Sequence, residues 1–190
     1  MSPADRAPAT PAPQPDVERI VAAALAEDAP WGDVSSEAFV PEQARITARV
    51  VAREPGVLSG TNALEAAFRL VDPAVSVTLH LADGADLSPG AVVAEVAGPA
   101  RSVLRAERVA LNLVQRLSGI ATTTAAHVAA ARDMLAKGGA IGRQLDFLCQ
   151  EFNREANTLC SKSSDVELTR TGLALKAAIE QLREQAQNIE

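Results

Sequence analysis

The chain has 190 residues, 47% of them hydrophobic and 22% charged, enough apolar material for a buried core in one domain or two small ones. A formal net charge of −6 and an isoelectric point near 5.0 argue against bulk electrostatic attraction to nucleic acid or an anionic membrane, so any RNA contact has to come from a local site. Cys149 and Cys160 are too few and too far apart for a CxxC metal or redox motif, and no apolar run reaches the roughly eighteen residues that span a bilayer; both points fit a cytoplasmic protein with no membrane partner.

The opening MSPADRAPATPAPQP is rich in Ala and Pro and has neither a long apolar core nor a basic amphipathic pattern. Residues 1–16 therefore read as a disordered tail rather than a signal or transit peptide. Val17, Ile20, Val21, Ala24 and Leu25 then recur at helical spacing, and EDAPWGDVSS ends that helix. RITARVVAR alternates as a half-buried strand does, with Ile46, Ala48, Val50 and Ala52 on one side. EPGVLSG supplies turn glycines, TNALEAAFRLV suits a helix begun by Thr61 or Asn62, VSVTLHL alternates again, and Val92 to Val96 forms one more short strand among turns.

All eleven prolines lie at or before Pro99 and all three lysines lie after Arg132, so the chain changes character along its length. From Arg101 onward the absence of proline permits long helices. Leu104, Leu111, Val114, Leu117, Ala121 and Val128 predict an apolar stripe on the first of them. Arg108, Asn112, Gln115 and Gly119 fall on a neighbouring polar stripe whose end Gly119 leaves open. A polar stripe is ordinarily a solvated face, and the residues alone leave that choice open.

Three runs, AEDAPWGDVSS, GVLSG and above all ERVALNLVQRLSGIAT, resemble the N-terminal domain of the quinolinate phosphoribosyltransferase family over residues 17–132. The resemblance implies an α/β hammerhead-like sandwich. It also implies an activity that joins quinolinate to phosphoribosyl pyrophosphate with Mg²⁺, giving nicotinate mononucleotide for NAD synthesis. It places Arg108 as the arginine that reaches into a partner subunit's barrel to bind substrate carboxylate, with Glu107, Asn112 and Ser118 in supporting roles. A guanidinium suits this task, because it meets a carboxylate through two parallel charge-assisted hydrogen bonds. In that family a barrel of roughly 200 residues follows, carrying the phosphate and metal ligands, whereas 58 residues follow Arg132 here.

Those 58 residues contain Ile141, Leu145, Leu148, Phe152 and Ala156 at helical spacing. Ser164 and Glu167 form a capping-box pattern before a second helix on which Leu168, Gly172, Leu175, Ile179, Leu182, Ala186 and Ile189 keep a 4-3 spacing. The expectation is an antiparallel helical hairpin with an apolar edge that favours a homo-oligomer. Glu151 and Glu155 stand one turn apart and are able to face one cation, while Arg154, Asn157 and Lys162 are candidates to meet phosphate; a plain solvated helix face explains the same pattern. The run DFLCQEFNREANTLCSKSSD resembles the C-terminal segment of the YicC-like family over residues 133–190, which implies endoribonuclease activity for full-length members. His80 and His127 have no ligand cluster around them and read as ordinary surface or packing residues.

The overall expectation is an α+β protein: a hammerhead-like domain, a long helix and a helical hairpin, with no complete barrel. Three functions follow. The chain is a phosphoribosyltransferase N-terminal domain, inactive alone, that a barrel domain of a complete enzyme would complement. Alternatively it is an RNA-cleaving or RNA-binding module. The third reading is a non-catalytic, self-associating fusion.

Overall fold

A computed structural model describes residues 14–137, 142–164 and 166–187. The chain divides into two compact units, one ending at Ala125 and the other beginning at Ala126. The fold is α+β, with small antiparallel sheets and no closed barrel among the described residues.

In the first unit the opening helix α1 spans Gln14–Asp28 and buries Val17 and Val21, while Ile20 is 51% exposed. It starts ahead of the expected boundary, so residues 14–16 belong to the helix and not to a disordered tail; residues 1–13 of that expected tail lie outside the described residues. A short helix, α2 (Val34–Phe39), follows inside the stretch read only as a terminator. Asp33 caps it, its carboxylate accepting from the Ser36 amide at 3.1 Å.

Strands β1 (Arg45–Val51), β3 (Ser76–Leu79) and β5 (Val92–Pro99) form an antiparallel sheet in the order β1-β5-β3. Arg45 pairs with Pro99 and Ser76 with Ala97, and the β1 register slips between Val50 and Val51. Ile46 and Val50 of β1 are half-buried as the alternation predicts, but Ala48 is exposed, because β1 is an edge strand. A separate ribbon joins β2 (Gly56–Val57) to β4 (Asp86–Leu87), two strands too short to announce themselves by alternation.

Helix α3 (Thr61–Val71) buries Leu64, Ala66, Ala67 and Phe68. Neither Thr61 nor Asn62 is its N-cap; that position is Gly60, with φ 95°, which has no side chain to cap with. The Asp83 carboxylate, 22 residues further on, accepts instead from the Thr61 amide at 3.0 Å and the Gly60 amide at 3.1 Å. A carboxylate there satisfies two orphan donors and sits at the positive end of the helix dipole.

The long helix α4 spans Ala100–Lys137 and buries Ala100, Val103, Ala106, Val109, Ala110 and Val114. This corrects the expected apolar stripe: Val114 is buried, but Leu104 and Leu117 are 38% and 37% exposed and Leu111 is half-buried. Alanines 106 and 110 let the helix lie close to a core built from Val21, Leu58, Leu64, Phe68, Val93 and Val96, and the bulkier leucines are displaced to its flank. Full burial of such a Leu or Phe contributes about 1.5–3 kcal/mol.

The second unit contains the antiparallel pair α5 (Gly142–Lys162) and α6 (Val166–Gln187). Leu145, Cys149, Ala156 and Ile179 form its buried seam, with Leu148, Phe152 and Leu182 packed against them. Gly172 is also buried, but Leu168 and Leu175 are 40% and 48% exposed, so the 4-3 row of α6 is only partly seam. Ile141 and Ile189, the side chains of Glu167 and Ala186, and with them the expected capping box, lie outside the described residues.

Candidate functional site

The exposed side of α4 between Leu104 and Gln115 carries a groove of about 470 Å³ lined by Leu104, Glu107, Arg108, Leu111, Asn112 and Gln115. Spacing dictates this set: residues 104, 108, 111 and 115 follow the i, i+4, i+7, i+11 track, and 107 and 112 flank it. Two of the three leucines displaced from the core, Leu104 and Leu111, therefore line the groove together with Arg108, Asn112 and Gln115 of the polar stripe, while Leu117 does not. Gly119 is not part of it; a side chain added there would meet nothing within 4 Å.

The Arg108 side chain is 80% exposed, and its Nη1 reaches Asp28 Oδ1 at 3.2 Å. Two turns earlier on the same track, Arg101 donates from Nε to the Val40 carbonyl at 2.8 Å and from Nη2 to the Glu37 carbonyl at 3.0 Å. Arginines seven residues apart thus hold the two ends of the Asp28–Val40 segment to α4. Trp31, Val34 and Phe39 of that segment are 89%, 67% and 87% exposed. The Asp33 carboxyl is held below the usual range first by the Ser36 hydroxyl and amide, with the positive charge of Arg108 adding to the effect. Of these residues the sequence points to Arg108 alone; nothing local marks Arg101 as an anchor, or Asp28, eighty residues from Arg108, as its partner.

Glu107 and Asn112 are exposed in the groove beside Arg108. Ser118 is not among the lining residues: its hydroxyl accepts from the Ser59 amide at 3.0 Å and donates to the Ser59 carbonyl at 3.2 Å. Thr122, one turn on, accepts from the Val57 amide at 2.9 Å and donates to the Ser118 carbonyl at 2.7 Å. Two hydroxyls of α4 therefore satisfy the backbone of the β2 segment.

On the hairpin, the Arg154 guanidinium lies 2.6 Å from Glu151 and 3.4 Å from Glu155, so the two carboxylates proposed to face one cation face an arginine. Among the described residues no group of three or more His, Cys, Asp or Glu side chains is arranged to hold a metal ion, and the residues present do not fit a Mg²⁺ centre. Asn157 and Lys162 are exposed further along the same helix. The firmer polar contact here links the two helices: Arg183 Nε donates to Asp146 Oδ1 at 2.6 Å. Beside it the Cys149 thiol is pushed up by burial and then by the Asp146 charge. His127 packs edge-on against Phe152 with ring centroids 6.1 Å apart. No helix among the described residues is long and apolar enough to cross a membrane.

Residues 33–118 match the family model for the quinolinate phosphoribosyl transferase N-terminal domain, and residues 114–190 match that for the endoribonuclease YicC-like C-terminal segment. A chloroplastic nicotinate-nucleotide pyrophosphorylase [carboxylating] from Oryza sativa is 40% identical over 134 residues, 69% of this chain and 36% of that protein. A Haemophilus influenzae protein named "Probable endoribonuclease YicC" is 55% identical over 64 residues, 34% of this chain and 22% of that one. The solved nicotinate-nucleotide pyrophosphorylase from Francisella tularensis superposes with a TM-score of 0.61 at 32% identity, covering 64% of this chain and 44% of that chain. The chain thus spans about a third of the rice relative and less of the bacterial one, and its two similarities meet within α4, where the matches share residues 114–118.

Proposed function

We propose that the first unit acts as the substrate-capping domain of a quinolinate phosphoribosyltransferase, delivering Arg108 in trans to a barrel carried by another chain, and that this chain alone does not form nicotinate mononucleotide. The observation that carries the reading is the open α4 groove. It presents an arginine that is largely solvated, between apolar walls and beside a segment whose Trp31, Val34 and Phe39 are uncovered. Exposed apolar side chains rimming a polar groove suit a surface that another protein covers. A barrel seated there would exclude water and strengthen the two parallel hydrogen bonds that a guanidinium makes to a carboxylate. Phosphate and Mg²⁺ ligands would enter with the barrel, and the protein would work in the cytoplasm.

The test is to mix the full chain with a separately made barrel domain and titrate quinolinate. The mixture binds, and Arg108→Ala removes the gain, at about 2–5 kcal/mol for a buried charged hydrogen bond left unpaired. Equal binding with Ala at 108 would refute the reading, as would steady turnover by the chain alone.

A second reading concerns the hairpin, where Glu151, Arg154, Glu155, Asn157 and Lys162 all lie exposed along α5. The segment would bind RNA weakly through Arg154, Asn157 and Lys162, given the acidic balance of the whole chain. Metal-dependent RNA cleavage lost in Glu151→Gln or Glu155→Gln would promote this reading to the main activity.

A further inference from the structure

We infer that Asp28 is a positioning residue that sets the Arg108 guanidinium for carboxylate binding; this rests on the proposed role of the α4 groove. Among the described residues, the contact from Nη1 to Asp28 Oδ1 is the arginine's one ion pair. It engages a single terminal nitrogen and leaves the edge formed by Nε and Nη2 for a second carboxylate. That edge is a two-donor fork matching a carboxylate's two oxygens. Asp28 thus holds the head of a long side chain without occupying its better binding edge.

The placement of Asp28 supports this. It is the last residue of α1, preceded by Glu27, and no basic residue stands in that last turn. Two acids at the negative end of a helix dipole oppose the usual preference, so helix stability does not explain Asp28. Arg108 supplies the missing cation from a different helix. Asp28 is an exposed residue whose side chain is 24% exposed, on backbone that the helical bond from the Ala29 amide to Leu25 O at 3.2 Å continues, and Arg101 anchors the far end of the segment. An arginine that is free to rotate loses side-chain freedom when a ligand immobilises it, and a partner that has already restricted it removes part of that loss. In this solvated setting the partial neutralisation of the arginine by Asp28 is a small opposing effect.

The experiment uses the full chain as wild type, Asp28→Ala, Arg108→Ala and the double variant, each mixed with the barrel domain and titrated with quinolinate calorimetrically. Asp28→Ala weakens binding about two- to tenfold, the equivalent of one immobilised side chain. In the Arg108→Ala background it has no further effect, and Asp28→Glu, which restores a carboxylate, recovers part of the loss. Unchanged or tighter binding in Asp28→Ala overturns the inference while leaving the groove reading intact. A loss that persists in the Arg108→Ala background also overturns it, since it would then be purely structural. If Arg108→Ala itself binds like wild type, both the inference and the reading beneath it fall.

Discussion

Gly60 and Leu117 occupy one space: a Cβ on Gly60 would stand 2.5 Å from Leu117 Cδ1, and Gly60 also holds φ at 95°. Two penalties therefore fall on Gly60→Ala. The left-handed backbone costs about 1–2 kcal/mol with a side chain, and relief of the clash pushes Leu117 off its packing. Urea unfolding should show a loss of about 2 kcal/mol or somewhat more. Adding Leu117→Ala should return only the clash part in a double-variant comparison; a fully restored midpoint would show that the backbone conformation carries no cost.

Acid stability should depend on Asp33 and Asp72. The Ser36 hydroxyl holds the first carboxyl low, and the Ser102 hydroxyl, followed by the Ala74 amide, holds the second. A carboxyl depressed in the folded state contributes stability above its unfolded value, near 3.9, and loses it as pH falls through the folded value. The gap between wild type and Ser102→Ala in urea midpoint should therefore be full at pH 7 and narrow below about pH 4. A gap that widens on acidification would reverse the assigned sign.

In the hairpin, a side chain at Gly172 would collide with the Cys160 sulfur. Gly172→Val should destabilise the hairpin, and Cys160→Ala should recover part of the loss by clearing the space. Thiol titration offers a separate check, because Cys149 is fully buried and Cys160 is not. A disulfide reagent should label Cys160 in the native chain and reach Cys149 only on unfolding.

Self-association should run through the exposed half of the α6 row. Ile179 is 5% exposed within its own hairpin, so a charge there would damage the fold rather than report on assembly. Leu168 and Leu175 are the residues to change. Replacing both with Glu should convert an associating species to monomer in sedimentation while preserving helix content; a wild-type chain that is monomeric across micromolar concentrations would exclude this surface.

The helices α1, α3, α4, α5 and α6 are legible because their apolar residues suit a helical period, β1 and β3 because theirs alternate, and β5 as a short strand set off by turns. α4 shows where that method misleads. Hydrophobicity ranks Leu104 and Leu117 above Ala106 and Ala110, yet the alanines are the ones buried, because the core requires close approach rather than bulk. Asp33 and Ser36 carry a cap signal for α2 at i and i+3, which a six-residue helix leaves without a periodic pattern to accompany it. Asp83 on α3 and Asp28 on Arg108 had no local signal at all, since each acts across a stretch of chain that only the fold closes.

The hydroxyls of Ser118 and Thr122 imply an order of events in folding. A two-stranded ribbon such as β2–β4 is marginal in isolation. Here its outer backbone donors at Val57 and Ser59 are met by side chains 65 and 59 residues later in the chain. The ribbon has its full set of bonds only once α4 has docked, so it should be among the last parts to acquire protection from hydrogen exchange and among the first to lose it. On a ribosome it would wait for residue 122 to emerge, leaving the early chain with an unsatisfied edge during synthesis.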